Sequence, residues 1–529
     1  MTRINTNVPS LISQRVLGAN NKALNTSLER LSTGLRINRG KDDPAGLIAS
    51  ENLRAEKAAI SAAIRNAERA DQVVNIAEGG LSEISSLLTE VQSLVTLTAN
   101  DAGLSDEERE ANQLQIDSIL QTIDRIAGAT SFQGSKLLNG NLDYNISNVA
   151  GVVSKSRVNG AKLEFNGTQD VDVLVTASAQ LAGYFVSLGG PLNLGGAGAT
   201  DGANSQFVIE ISGSLGSREL SFASGNTISD IVSAINTFTN VTGVAATASG
   251  TGLRLESTEY GDDEFVSIKI VDDGSLNTAV AQGGIYNLSA GDTDVLASTT
   301  PAALFSATAA SNGLTDFGQD VEATINGIVA TTRGRTVRIN TDFLDVEVEL
   351  AYDTGNPSAA ALGLVSAFTI TGGGADFQLA PRVDIAGKVP IGIQNVAARS
   401  LGVTDARVFD SGGNPVTRRY SLADFAAGKE LNLIDGNLAA GQQIIDEAIR
   451  EVSSLRGRLG AFQANTVAAT INSLGISLEN TAAAESLIRD TDFASETAGL
   501  TRAQILAQSA QSSLQIANTQ PQSVLQLLG

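Results

Sequence analysis

The sequence predicts an α+β protein: long N- and C-terminal helices packed as an α-helical coiled-coil bundle, with an inserted β-rich outer region. Three observations carry that expectation. Apolar residues recur every three or four positions from about Val8 to Gly128, and again from about Leu438 to Leu528. Between about Phe132 and Val403 the chain is instead rich in Gly, Thr, Asp and Val, with alternating runs and turn dipeptides. Charge follows the same partition. The first 42 residues carry a net charge of +5, residues 151–400 carry −14, and the whole chain of 529 residues carries −22.

The first helical stretch holds Leu17, Leu24, Leu28, Leu31 and Leu35 at steps of 7, 4, 3 and 4, with Asn21 at the vacant position of the stripe. It breaks at Gly34 and Gly40. A second helix starts at Asp43-Pro44. The Asp43 carboxylate can accept from the first free amides, and proline suits the first helical position, where its missing N–H costs nothing. Its stripe is Ile60, Ile64, Ala67, Val74, Ala77, Leu81, Ile84, Leu88, Val91 and Val95, interrupted at Asp71. A 3-4 seam of this length is a coiled-coil pattern. Unbroken from 44 to 98, the helix would be roughly 80 Å long. Gly79 and Gly80 weaken it, each by about 1 kcal/mol relative to alanine. Ser105 with Glu108 forms a capping box for a third helix, whose stripe is Ile116, Ile119, Ile123 and Ile126.

The C-terminal stretch mirrors this pattern. Ile445, Ile449, Val452, Leu455, Leu459 and Phe462 lead into Val467, Ile471, Leu474 and Leu478. After a polar break at Arg489–Asp492, a last helix carries Leu506, Ala510, Leu514 and Ala517. It is expected to end at Pro521, leaving an apolar tail of Val524, Leu525, Leu527 and Leu528. Each stripe must bury its face. The two ends are therefore expected to lie side by side, with the middle as an insertion. The outermost stripes read as too short to be stable alone and are expected to fold on meeting partner subunits.

In the middle, Phe207–Ile211, Leu253–Ser257, Val266–Ile270 and Val346–Leu350 alternate as half-buried strands do. Asn159-Gly160 suits a type I′ hairpin turn, and Thr227 with Asp230 caps one short helix. The glycine-rich stretch 188–204 reads as a loop or linker.

Composition excludes much chemistry. His, Cys and Trp each number 0, which removes disulfides, thiolate and imidazole metal sites, cysteine nucleophiles and Ser-His-Asp triads. The acidic balance opposes general nucleic-acid binding, which needs cations to displace phosphate counterions. No run of about 18 apolar residues suggests membrane insertion. The N-terminus lacks the apolar core of a cleaved secretory signal. Gly372-Gly373-Gly374 has no following lysine and no helix signal, so it does not read as a phosphate loop. Asp272-Asp273-Gly274 and Asp292-Thr293-Asp294 lack the calcium-loop spacing and read as solvated turns. No metal, cofactor or catalytic residue is expected.

Longer motifs narrow the choice. The run ERLSTGLRINRGKDDPAGL from Glu29 to Leu47 resembles the N-terminal signature of bacterial flagellin. Arg3–Asn7 and Thr130–Gly140 match the same family. So do IRDTDFASET from Ile488, TRAQILAQ from Thr501 and PQSVLQLL from Pro521. The resemblance spans roughly residues 1–176 and 376–529. Thr227–Ser257 looks like the small module inserted in many flagellin and hook-associated proteins.

The resemblance implies a subunit that polymerises into the helical filament of the bacterial flagellum. Such chains leave the cell unfolded through the flagellar type III channel, which would account for the missing signal, so the expected location is extracellular. It also implies a layout. Residues 1–42 and 488–529 would form the filament-core helical domain, and 43–176 and 376–487 the shell. Residues 177–375 would form the surface insert, with the module near 206–260. Assembly in the core would rest on Leu17, Leu24, Leu28, Leu31, Leu35, Leu506, Leu514, Val524, Leu525 and Leu528. The shell coiled coil would use Ile60, Ile64, Leu81, Ile84, Leu88, Val91, Ile116, Ile123, Ile449, Val452 and Leu459. Implied partners are further copies of the chain, an export chaperone, the cap and junction proteins, and host innate immune receptors. Glu29–Ser50 resembles the segment sensed by the plant flagellin receptor. Family members sensed by the animal Toll-like receptor carry Arg where this chain has Glu90, whereas Leu94 is retained; the charge reversal should weaken that signalling. Alternatives are a hook–filament junction protein, or a filament subunit whose outer domain acts as an adhesin.

Overall fold

The computed structural model describes residues 6–100, 103–164, 167–188, 192, 194, 206–250, 252–274, 284–288, 302–303, 305, 313–353, 356–360, 363–409, 415–434 and 436–528, with the side chains of 352–360, 405–417 and 521–528 left out. It is α+β, with helical termini and a β-rich region between them. The chain forms two compact units. One comprises Met1–Gly79, Phe377–Val389 and Arg456–Gly529; the other comprises Gly80–Asp376 and Pro390–Leu455.

The first unit contains helix α1, Val8–Thr33, and the first part of α2, Pro44–Thr98. Gly34 closes α1 in the left-handed conformation at φ 73°, its N–H donating to the Arg30 carbonyl. Asp43 Oδ1 accepts from Gly46 N at 2.9 Å, the expected cap of α2. The Gly79–Gly80 pair leaves α2 unbroken over 55 residues. Buried Ile60 and Ala63 of α2 pack with Leu474, flanked by half-buried Ile64 and Leu478.

In the second unit α2 continues with Leu81, Ile84, Leu88 and Val91, all fully buried. A Cβ at Gly80 would stand 2.8 Å from Leu138 Cδ1 and from Thr130 Oγ1, so this helical glycine permits a close approach. Helix α3, Asp106–Ala129, starts on the expected Ser105–Glu108 capping box and buries Ile116 and Ile123. Two short helices follow within the β-rich region: α4, Ile228–Thr237, and α5, Thr239–Thr242. Thr227 and Asp230 cap α4 reciprocally. The Thr227 hydroxyl and amide both donate to the Asp230 carboxylate and hold it below the usual carboxylate range.

The strands pair antiparallel in four main sheets. One core lies where α4 meets the sheet of 183–187, 244–249, 252–257 and 284–287 and the sheet of 206–213, 216–223, 265–272 and 314–317. A second core joins the five-stranded sheet built on 169–177 and 363–373 to the sheet of 153–161, 331–333, 336–340 and 344–350.

Several expectations need correction. Asn159-Gly160 is not a hairpin turn. It lies inside the strand Val153–Ala161, at a register shift opposite Asp345 and Val346, where Asn159 Nδ2 donates to Asp345 Oδ1 at 3.1 Å. The strand Gly252–Ser257 is not half-buried but covered on both faces; Arg254 stays inside by pairing with Glu256 at 2.5 Å. Gly372 and Gly373 end the strand Gly363–Gly373 and Gly374 follows as a bend, with φ of 139°, 88° and 76°; Gly373 and Gly374 approach Asp143 and Tyr144. Asp272 Oδ1 accepts from Gly274 N at 3.0 Å, a solvated turn. Most of 188–204 and all of Asp292–Asp294 lie outside the described residues.

The C-terminal helices are α6, Leu438–Ala461, α7, Ala468–Arg489, and α8, Phe493–Leu528. A π-helical segment, Phe462–Val467, joins α6 to α7, which the periodicity alone did not indicate. Phe462 of this segment stacks on Phe377 at 5.8 Å, and Gln463 Nε2 donates to Asp71 and Asn75 of α2. The last helix does not end at Pro521: α8 runs on to Leu528. Nor are the outer helices short. At 26 and 36 residues, α1 and α8 both exceed the roughly 12–15 residues at which isolated helices become marginal.

Candidate functional site: the paired terminal helices

Helices α1 and α8 run antiparallel, side by side. Their register is fixed by polar contacts spread along the pair. Asn7 Nδ2 donates to the Ala517 carbonyl at 2.8 Å and Ser10 Oγ to Asn518 Oδ1 at 2.7 Å. Asn20 Nδ2 donates to the Leu506 carbonyl at 3.0 Å, and Arg30 pairs with Glu496 at 3.5 Å. Beyond the helix ends, Arg36 N donates to the Arg489 carbonyl and Thr491 N to the Gly34 carbonyl.

The facing surfaces are made of small side chains. Ser10 and Ser27 are buried on α1, and Ala503, Ala510 and Ala517 on α8. The alanines recur every seven residues, which keeps one face of α8 turned to α1. Leu17, Leu24, Leu31 and Leu514 are half-buried along the same pair. The larger apolar side chains point elsewhere. Val8, Leu11, Ile12, Val16 and Leu28 on α1 are exposed, as are Phe493, Ile505, Leu506 and Ile516 on α8. Leu28 and Leu506, placed on the inward stripes by spacing, therefore sit on outward faces. The side chains of Pro521, Val524, Leu525, Leu527 and Leu528 lie outside the described ones.

The connection from α1 to α2 is a compact polar turn around one buried side chain, Ile37, at 1% exposure. Asp42 accepts from the amides of Arg39 and Asn38, and these bonds hold its carboxyl below the usual range. Arg39 pairs with Glu29 at 2.9 Å, and Arg36 donates to the Ile488 carbonyl at 2.6 Å. The two sequence runs from Glu29 and from Ile488 thus meet: Leu35 bridges to Asp490, and half-buried Leu35 joins the turn.

These same runs carry the family match. The Bacterial flagellin N-terminal helical region matches residues 4–143, and the Bacterial flagellin C-terminal helical region matches 442–528. The Flagellin hook IN motif matches 206–259. Together these spans cover more than half of the chain.

The chain belongs to the bacterial flagellin family.

Full-length relatives agree with that membership. The chain is 29% identical to "Flagellin" of Salmonella choleraesuis, 28% to "B-type flagellin" of Pseudomonas aeruginosa and 27% to "Flagellin B" of Helicobacter pylori, each over 99% of both chains. The flagellin hook IN motif coincides with the two hairpins and the α4–α5 helices of the first β-rich core.

The remaining sequence-predicted positions of this flagellin separate by unit. Ile60 and Ile64 lie in the first unit; Leu81, Ile84, Leu88, Val91, Ile116, Ile123, Val452 and Leu459 are buried in the second or, for Leu459, on the α6 end in the first, and Ile449 is half-buried. Glu90 is exposed, but Leu94 is 7% exposed and turned inward, so the two do not share an accessible patch. Sequence reasoning missed the register-setting Asn7 and Asn20, and named Ala510 and Ala517 of the α8 face but not Ala503. The seven-residue spacing of Ala503, Ala510 and Ala517 was the available signal. It missed a second feature as well. Lys155 and Arg157, on one strand, meet Glu451 of α6 at 2.7 and 3.0 Å, and Glu447 lies 3.1 Å from Lys155. Glu451 Oε2 also accepts from Gly402 N at 2.9 Å. No metal-holding group of acidic residues occurs among the described residues, and no described helix is long and apolar enough to cross a membrane.

Proposed function

We propose that this flagellin is the structural subunit that polymerises into the helical filament of the bacterial flagellum. The observation that carries the proposal is the outward apolar face of the α1–α8 pair. Val8, Leu11, Ile12 and Val16 on one helix and Ile505, Leu506 and Ile516 on the other are all exposed. Exposed apolar rows along paired helices favour association, at about 25 cal/mol per Å² removed from water. Head-to-tail contacts that do not close generate a helical polymer. The pair's own seam is small and polar, so burial against neighbours would supply much of its stability.

In this reading residues 1–42 and 488–529 form the filament core, 43–176 and 376–487 the shell, with α2, α3 and α6 packing as a coiled-coil bundle, and 177–375 the outer surface. The chain would travel unfolded through the type III channel to an extracellular filament, meeting a chaperone, cap and junction proteins on the way. Its role is structural, not catalytic. Host receptors would read the exposed Glu90 as a charge reversal; potent stimulation in a Toll-like receptor reporter assay would contradict that.

Seeded assembly tests the main proposal. Purified full-length chain is mixed with short filament fragments and followed by light scattering and electron microscopy. The wild type should elongate the seeds, and Leu11→Asp or Ile516→Asp should reduce elongation at least tenfold without altering the β-rich unit's circular dichroism. A chain that stays monodisperse with every seed overturns it.

A further inference from the structure

Proline has no backbone N–H, so position 521 cannot make the bond that a helical residue gives to the carbonyl four places earlier. Inside α8 that carbonyl belongs to Ala517, a buried residue. A buried carbonyl without a donor is costly, and helices commonly stop or kink at such a gap. Yet α8 continues through Pro521 to Leu528. The missing donor is supplied from the other end of the chain: the Asn7 side-chain amide reaches the Ala517 carbonyl at 2.8 Å.

The same side chain has a second task. Asn7 Oδ1 accepts from Ser10 N at 3.2 Å as the N-cap of α1. One face of the amide thus starts α1 and the other fills the gap in α8. The two uses fix the orientation of the amide, because oxygen is needed on one side and nitrogen on the other. Neighbouring Ser10 Oγ donates to Asn518 Oδ1 at 2.7 Å, so the contact sits in an ordered polar cluster.

We propose that Asn7 is a positioning residue that keeps the last turns of α8 helical beyond Pro521, so that helix start and helix end are completed together. The final helical segment is then available only when the N-terminal helix has docked in register. This rests on the filament reading for its purpose, since a rigid C-terminal segment is what a core subunit needs. It does not rest on that reading for its geometry.

The test is a double-mutant cycle between Asn7 and Pro521 in the full-length chain, read by hydrogen exchange over 518–528 in filaments grown from seeds. Asn7→Asp is the informative variant, because a carboxylate still caps α1 but cannot donate to Ala517. It should raise exchange over 518–528 by roughly tenfold, the scale of one unsatisfied buried carbonyl, while the first turn of α1 stays protected. Pro521→Ala restores an N–H at 521. In that background Asn7→Asp should change exchange less than twofold. Asn7→Ala should expose both segments with proline present and only the α1 start without it. Equal effects of Asn7→Asp in the two backgrounds, or none in either, would overturn the proposal. If the wild type fails to elongate seeds, the filament reading falls, and the same cycle is read on the free full-length chain. Absence of protection over 518–528 there would overturn the coupling as well.

Discussion

Glu451→Ala is expected to destabilise the unit that holds the β-rich region by about 1.5–3 kcal/mol, the scale of losing hydrogen bonds to charged groups. The side chain is 9% exposed and takes contacts from Lys155, Arg157 and the Gly402 amide. Lys155 and Arg157 are themselves only 25% and 15% exposed; truncation leaves Lys155 with Glu447 at 3.1 Å and Arg157 with Glu347 at 4.0 Å as their remaining acidic partners. Gly402 adds a constraint. It adopts φ +64°, and a Cβ there would stand 2.4 Å from the Ile444 carbonyl, so only glycine fits where the Glu451 carboxylate meets the backbone. Urea unfolding followed by circular dichroism, with hydrogen exchange over 153–161, measures the loss. A change under 1 kcal/mol would show that the network is solvated. The pH dependence has a defined sign. Burial acts to lower the Lys155 pKa, but the Glu451 carboxylate, its hydrogen bond and Glu447 outweigh that and hold it above the ordinary lysine value of 10.5. A raised pKa means that the stabilisation is complete below pH 10.5 and is lost as pH rises through the folded value. The Lys155 contribution should therefore be lost only at strongly alkaline pH, and Glu451→Ala should remove that alkaline loss.

Leu88→Ala should cost about 2–5 kcal/mol through lost burial and a residual cavity. Leu88 is fully buried toward the C-terminal end of the α2 stripe, between Ile84 and Val91, which are equally buried. Leu88→Met, which conserves volume, should cost less than about 1.5 kcal/mol. Local exchange over 81–95 distinguishes a packing defect there from loss of the outer sheets. Equal effects of the two substitutions would argue that the site is not tightly packed.

These two positions mark what the sequence made legible. Leu88 belongs to a periodic pattern carried by its own neighbours, and so do the caps at Asp43, Ser105 and Thr227, each set by a residue three positions away. Glu451 has no local signature: its partners lie 296 and 294 residues away. The same holds at the termini. Leu28 and Leu506 share spacing with inward residues, but small alanines and serines face inward instead, and spacing alone does not say which of two apolar faces meets which neighbour. Pro521 was read as a stop because the local rule is sound; the donor that offsets it reaches the Ala517 carbonyl from Asn7, 510 residues before Ala517. Asn159-Gly160 misled for a similar reason, since a turn dipeptide can also serve a strand irregularity where Gly160 packs near Pro390.

The antiparallel register of α1 and α8 is set by contacts at the two extremities and is indifferent to how much chain lies between them. Closing a longer loop adds only about 0.6 kcal/mol for each doubling of its length. The hairpin joining Gln206–Gly213 to Gly216–Ala223 turns at Ser214 and exposed Leu215. A guest epitope grafted at that tip is expected to leave the α1–α8 contacts in place, so the hairpin offers an insertion point at which cargo can be exchanged.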